Sequence, residues 1–335
     1  MRIRFGRNTV AAVLTCAVLF ALAPLLAADD PPQFSPWSAA VKVGPLGPPI
    51  SSTVWREVDP FIAKNDLDLY FGSNNPDLPG WQGRVDIYVS HRDTVDDPWE
   101  DPINLGPKIN SQYYESGSFV TIDGHWLYFV SDRPGGCGGL DIWVSHRKDK
   151  RDDDGWETPI NLGCGTINSA VQDLGPYLFE DEATGQTFLY FTSYNRPGGK
   201  GLNDIWVSTM VGEDHEAFGP PSPVVELNTA SGDHMAFVRR KDGLEVIFIS
   251  NRSGGTGDQD LWSSTRPDTL SPWSAPVNLG PLVNSSSIEG RPSLSWDGTT
   301  LYFGTNRNWP QGDYADVYMA TRTKLKGKGA DKNED

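Results

Sequence analysis

Cysteine is scarce in this 335-residue chain, with three in all. Basic residues are outnumbered: 28 Lys and Arg stand against 44 Asp and Glu, for a net charge of −16. That balance repels nucleic-acid phosphates and anionic lipid surfaces, so a nucleic-acid partner is excluded. After residue 28 no apolar run reaches the roughly 18 residues that would span a bilayer, and no stretch sustains a helical 3.6-residue period. A Gly-Lys-Ser/Thr phosphate loop, a Gly-x-Ser-x-Gly elbow and a His-Glu-x-x-His pair are all missing. P-loop hydrolysis, elbow-type serine chemistry and zincin chemistry go with them.

The N-terminus reads as a targeting segment. Arg2, Arg4 and Arg7 precede a mostly apolar stretch from Val10 to Ala28, and Ala27-Ala28 supplies small residues for cleavage. The expected layout is a signal peptide over 1–28, a linker over 29–36, a folded body over 37–323 and a polar, disordered tail over 324–335. The protein is expected to be exported, periplasmic or extracellular, and monomeric. Removal of 1–28 takes three Arg and no acid, so the mature charge is 25 minus 44, or −19.

Gly (35), Pro (26) and aromatics at 11% are abundant, and they are arranged in repeats. Leu69-Tyr70-Phe71 recurs as Leu127-Tyr128-Phe129, Leu189-Tyr190-Phe191, Val246-Ile247-Phe248 and Leu301-Tyr302-Phe303, at spacings of 58, 62, 57 and 55. Each is followed by a run led by Asp: Asp86, Asp141, Asp204, Asp260 and Asp316. A Trp-Pro-Asn-Leu-Gly segment then closes most units, as in Trp99 to Gly106. Short strands separated by turn residues predict four-stranded antiparallel units repeated about a ring, an all-β propeller. The last unit lacks its closing segment, and an orphan copy, Trp37 to Gly44, stands at the start of the body. That strand is predicted to complete the last blade and close a ring of five.

Segments such as Leu127 to Ser145 resemble the TolB-type, WD40-like (PD40) propeller repeats of exported bacterial proteins. The resemblance implies a propeller that docks peptidoglycan, proteins or other envelope ligands; some related propellers are polysaccharide lyases. The five-blade count is also shared by arabinanases, invertases and levansucrases, whose sequence motifs this chain lacks; that link is one of fold alone.

Strand direction alternates, so one face of the ring carries the connections between units and the loops after each Leu-Tyr-Phe strand. On that face lies one acid per repeat, read as Asp59, Glu115, Asp173, Asp233 and Glu289, expected to converge around the channel. Converging carboxylates suit glycoside cleavage, with Asp59 as base or nucleophile and Glu115 or Asp173 as acid. An acid in every repeat equally suits blade building, because Arg133, Arg196, Arg252 and Arg307 recur on the same face and can pair with them. Repeat one has Ser73-Asn74-Asn75 in place of that Arg, leaving Arg56 or Arg84 as partners for Asp59. His234 sets an imidazole beside Asp233, a candidate for proton transfer or for ligand contact.

Trp55, Trp81, Tyr113, Tyr114 and Trp309 fall in loops of the same face and, with Asp233, His234 and Glu289, form the candidate ligand surface, since flat rings suit sugar faces. Cys137 and Cys164 lie in loops of that face and are candidates for a disulfide. No cofactor is expected, although a divalent cation in the channel would relieve repulsion among five acids. Asp152-Asp153-Asp154-Gly155 lacks the ligand spacing of an EF-hand and reads as a solvated turn. Two functions remain. One is a binding module for a glycan, a peptide or an envelope protein; the other is a carbohydrate-active enzyme, a glycoside hydrolase or polysaccharide lyase. The recurrence of the acids in every repeat favours the first.

Overall fold

A computed structural model describes residues 33–44, 55–308 and 316–325. The expected signal peptide and most of the polar tail lie outside the described residues. Twenty strands form five four-stranded antiparallel sheets. Blade one is β2 (Glu57–Ile62), β3 (Asp68–Ser73), β4 (Asp86–His91) and β5 (Ile103–Asn104). Blade two is β6 (Glu115–Val120), β7 (Trp126–Ser131), β8 (Asp141–His146) and β9 (Ile160–Asn161). Blade three is β10 (Asp173–Asp181), β11 (Gln186–Tyr194), β12 (Asn203–Thr209) and β13 (Ser222–Pro223). Blade four is β14 (Asp233–Val238), β15 (Glu245–Ser250), β16 (Asp260–Thr265) and β17 (Val277–Asn278).

Blade five joins the two ends of the chain: β18 (Glu289–Leu294), β19 (Thr300–Thr305) and β20 (Asp316–Thr321) are completed by β1 (Val41–Lys42). Val41 pairs with Met319 and Lys42 with Tyr318. The innermost strands β2, β6, β10, β14 and β18 touch in cyclic order, with β18 returning to β2. The chain is thus a closed five-bladed β-propeller. The clasp runs further than Trp37 and Arg322: Phe34 bridges Lys324, and Leu325 N–H donates to the Gln33 carbonyl at 2.7 Å. Those residues are tied down because Phe34 stacks on the Arg322 guanidinium at 3.8 Å.

The closing Trp of four of the five blades is explained by a cation. Arg92 lies over Trp99, Arg147 over Trp156, Arg266 over Trp273 and Arg322 over Trp37, all at 4.2–4.3 Å. Each Arg follows the third strand of its blade and anchors the short fourth strand, which is too brief to hold by ladder bonds alone. Blade three has Phe218 there instead and lacks the pair. The Leu-Tyr-Phe strands are buried almost completely, and they pack blade on blade into the core.

Every innermost strand carries the same irregularity. The register slips between Val58 and Phe61, Ser116 and Phe119, Leu174 and Tyr177, His234 and Phe237, and Gly290 and Ser293. At each bulge one residue has φ between 54° and 62°: Asp59, Gly117, Gly175, Met235 and Arg291. These five line the top of the central channel, and Phe61, Phe119, Tyr177 and Phe237 close it below. Successive ring centroids in that plug are 4.9, 4.9 and 4.2 Å apart.

Candidate functional site

Glu115, Asp173, Asp233 and Glu289 open β6, β10, β14 and β18 and are fully buried. Each carboxylate is held by the residue four positions before it. Ser111, Ser169, Thr229 and Ser285 donate both backbone N–H and hydroxyl, at 2.5–2.9 Å. Each also meets an Arg: Arg133 at 3.1 Å, Arg196 at 3.6 Å, Arg252 at 2.6 Å and Arg307 at 3.1 Å. The same guanidiniums donate to turn carbonyls and lie over strand aromatics, as Arg252 does to the Leu227 carbonyl (2.6 Å) and over Phe248 (4.9 Å). These four acids are blade locks and do not face the channel.

Asp59 is not the fifth member of that set. The residue paired across the first ladder rung with Ser73, as Glu115 is with Ser131, is Glu57. The Ser/Thr four residues earlier was the available signal, because the sequence reads Thr53 before Glu57. Asn75 occupies the Arg position: its N–H donates to Ser73 Oγ at 3.2 Å, as that of Arg133 does to Ser131 Oγ at 3.1 Å. Asn75 is fully buried, and its Nδ2 has no partner among the described residues. Glu57 is therefore without a blade Arg. Burial, and secondarily the nearby Asp316, push its carboxyl up to about 7, while Lys42 pulls the other way. Unlike the four locked acids, Glu57 is partly exposed.

Asp59 sits two residues further in, on the channel wall. Its Oδ2 accepts from Ser116 Oγ, from Gly117 N–H at 2.9 Å and from the Arg291 guanidinium, while Oδ1 has no partner among the described residues. Its counter-ion is thus Arg291 of blade five, neither Arg56 nor Arg84. Arg84 instead pairs with Asp132 at 2.6 Å.

The channel wall is polar on one side only. At the bulge and the residue after it the blades read Asp59-Pro60, Gly117-Ser118, Gly175-Pro176, Met235-Ala236 and Arg291-Pro292. Asp59, Ser118 and Arg291 gather polarity on the blade five–one–two side, and blades three and four offer Pro176, Met235 and Ala236. A divalent cation would find one carboxylate there, already engaged by Arg291. Among the described residues no three His, Cys, Asp or Glu side chains gather as a metal requires.

His234 is only 9% exposed, and burial drives its pKa down to about 4 against the pull of Asp233. It is neutral at physiological pH and, contrary to the expectation of a rim imidazole, is not placed for proton exchange. The aromatic residues border one loop, 74–85 of blade one. Arg84 N–H donates to the Tyr113 carbonyl (3.4 Å), Val85 bridges Tyr114, and Arg56 N–H, next to Trp55, donates to Asn74 Oδ1 (2.8 Å). Trp81 on that loop is 39% exposed; Trp55, Tyr113 and Tyr114 are half-buried, and Trp309 lies outside the described residues. Cys137 and Cys164 form a disulfide with Cα atoms 5.3 Å apart, which fixes the loop after β7. Asp153 of the acidic turn bonds His91 (2.9 Å) and Arg147 (3.3 Å). Among the described residues no helix is long and apolar enough to cross a membrane.

No family model matches the chain, and no curated protein matches it in sequence. Solved structures do. A thermostable family-43 glycoside hydrolase aligns with 86% of this chain and 94% of its own at 14% identity and a TM-score of 0.54. The catalytic domain of the GH62 α-L-arabinofuranosidase of Coprinopsis cinerea aligns over 86% and 98% at 15% identity, TM-score 0.54. An endo-1,4-β-xylanase from Bacteroides thetaiotaomicron aligns over 83% and 97% at 13% identity, TM-score 0.54. At these identities the likeness is one of fold. It corrects the TolB-type, WD40-like resemblance, since the structural neighbours are glycoside hydrolase propellers. The Leu-Tyr-Phe and Asp-Ile-Trp runs report what any such blade needs, a buried middle strand and an Asp that fixes the preceding loop. Asp141, for example, accepts from Cys137 N–H at 2.5 Å.

Proposed function

We propose that this protein is an exported carbohydrate-active enzyme that cleaves glycosidic bonds at the top of its channel, on the blade-one side. The observation that carries the reading is the broken lock: blade one alone lacks the Arg, which leaves Glu57 partly exposed with a pKa of about 7, two residues from Asp59. A carboxyl that titrates near neutrality is suited to protonate a leaving-group oxygen. Asp59, with three donors on one oxygen, is the carboxylate that faces the cationic transition state. Trp81 and its aromatic neighbours offer flat faces for further sugar units. The neighbours' arabinofuranosidase and xylanase activities define the first substrates to try. The basic-then-apolar N-terminal segment and the disulfide support export.

Asp59 is only 3% exposed and already engaged by Arg291, an observation that favours a second reading, glycan binding without cleavage. The test is turnover of arabinofuranosides and xylo-oligosaccharides by the wild type, Glu57→Gln and Asp59→Asn. The expected result is cleavage that falls at least about 100-fold in each variant, with a cooperative unfolding transition still present in each. Binding without cleavage selects the second reading, and activity that survives Glu57→Gln refutes the assignment of the acid.

A further inference from the structure

The lock of blade three carries an extra residue. Ser131 and Arg133, Ser250 and Arg252, and Thr305 and Arg307 stand two apart, whereas Ser193 and Arg196 stand three apart. In the other blades the residue after that Ser or Thr is a side-chain cap. Asn74, Asp132, Asn251 and Asn306 accept the N–H of Arg56, Tyr114, Gly232 and Ile288 at 2.7–2.8 Å. Tyr194 keeps the backbone bond there, to the Gln172 carbonyl at 2.9 Å, but it cannot cap, and it is 41% exposed. The insertion also loosens the lock. Arg133, Arg252 and Arg307 donate their N–H to the Ser or Thr hydroxyl at 3.1–3.2 Å and reach their acids at 2.6–3.1 Å. Arg196 makes no such N–H bond among the described residues and stands 3.6 Å from Asp173. Asn195, at φ 50°, adopts a left-handed backbone that a side chain takes only at a cost. Loops absorb insertions cheaply. This one falls inside the lock, and its product is an exposed ring.

Blade three lies across the ring of blades from the blade five–one seam, where Asp59 meets Arg291. Ser193, just before Tyr194, pairs with Asp173 at the top of β10, so Tyr194 stands on the rim of the channel mouth. Its ladder partner Asn203 sets a carboxamide on the same side of the blade. A flat ring with a carboxamide beside it suits the apolar face and the hydroxyls of one sugar unit. We propose that Tyr194 forms a distal subsite that stacks on a sugar unit across the channel mouth from Asp59. The inference rests on the reading of the channel mouth as a glycan site and adds the substrate class, chains of several sugar units. A short substrate occupies the blade-one side and leaves the ring in water. A chain that spans the mouth covers the ring and gains its burial.

The experiment uses the full chain with xylobiose to xylohexaose and the matching arabino-oligosaccharides, for hydrolysis and for binding by calorimetry. In the wild type kcat/KM is expected to rise by about 10-fold or more along the series. Tyr194→Ala is expected to cut the longest-to-shortest ratio about 5- to 10-fold, and Tyr194→Phe, which keeps the ring, to preserve it. Deletion of Tyr194 leaves Ser193-Asn195-Arg196, the pattern of Ser250-Asn251-Arg252. It is expected to cut the ratio as Tyr194→Ala does and to raise the melting temperature, because cap and lock are restored. A ratio near one in the wild type, or one untouched by Tyr194→Ala, overturns the inference and leaves glycoside cleavage standing. A deletion that destabilises the fold overturns it too, since the insertion then serves the blade. Affinity that grows with chain length and falls in Tyr194→Ala, without hydrolysis, keeps the inference and sinks the cleavage reading. No binding and no hydrolysis of any chain overturns both.

Discussion

Replacing Glu57 by Gln is expected to stabilise the fold while it removes activity, and the gain is expected to depend on pH. Glu57 titrates at about 7 in the folded protein against an ordinary 4.5, chiefly because burial disfavours its charge. The folded state therefore holds a proton that the unfolded chain releases between these values, and stability falls as pH rises through that window. A displacement of this size corresponds to about 3 kcal/mol at most; with the carboxyl partly exposed, about 1–2 kcal/mol is expected. Gln keeps the shape and cannot ionise. Glu57→Gln and the wild type are thus expected to melt together at pH 4, and the variant is expected to be about 2–4 °C more stable at pH 8. Melts followed by calorimetry at pH 4, 5, 6, 7 and 8 give the difference directly, because groups common to both proteins cancel. A difference that is flat across the series, or a variant that is less stable at pH 8, would refute the claim that Glu57 is a destabilised carboxyl.

The locked acids respond the other way. Arg252→Ala leaves the fully buried Asp233 without its guanidinium and is expected to cost about 3–5 kcal/mol in denaturant unfolding; a loss below about 1 kcal/mol would remove the lock from the account. His91, held by Asp68 (2.8 Å) and Asp153 (2.9 Å), titrates at about 10 because both carboxylates bond its ring. A raised His stabilises the fold below its ordinary pKa, and the contribution is lost as pH rises through 10. His91→Gln is therefore expected to cost about 2 kcal/mol at pH 6, discounted for partial exposure, and little at pH 10.5. An equal cost at both pH values would show that the ring serves by packing alone.

The fold was legible because propeller blades repeat. Five apolar runs, four of them Leu-Tyr-Phe, and the five Asp-led runs that follow them set the blade number, and the orphan segment at Trp37 identifies the closing strand. The site was less legible, for a local reason. Glu57 and Asp59 stand two apart, and the bulge that shifts the register begins at Asp59 itself and has no signature in blade one, where Asp rather than Gly takes the positive φ. Alignment by nearest acid therefore points to Asp59, whereas the Ser/Thr that stands four residues before each lock acid points to Glu57. Arg291 was hidden for the same reason: it is a bulge residue in blade five, and sequence spacing does not reveal that it reaches Asp59 across the seam.

The bulge also shows why the site falls where it does. Glycine takes a left-handed backbone without cost, and blades two and three use it, at Gly117 and Gly175. Asp59, Met235 and Arg291 adopt the same conformation with a side chain, at about 1–2 kcal/mol each. In Asp59 and Arg291 that cost is borne by a mutual ion pair on the channel wall, and in Met235 by an apolar surface across from it. A fold that sought only stability would have placed glycine in all five positions. The three that are not glycine define the two walls of the cavity, and the one blade whose acid lost its Arg stands beside them. The repeat builds the ring; the strained bulge residues and the unlocked Glu57 are what the ring holds in place.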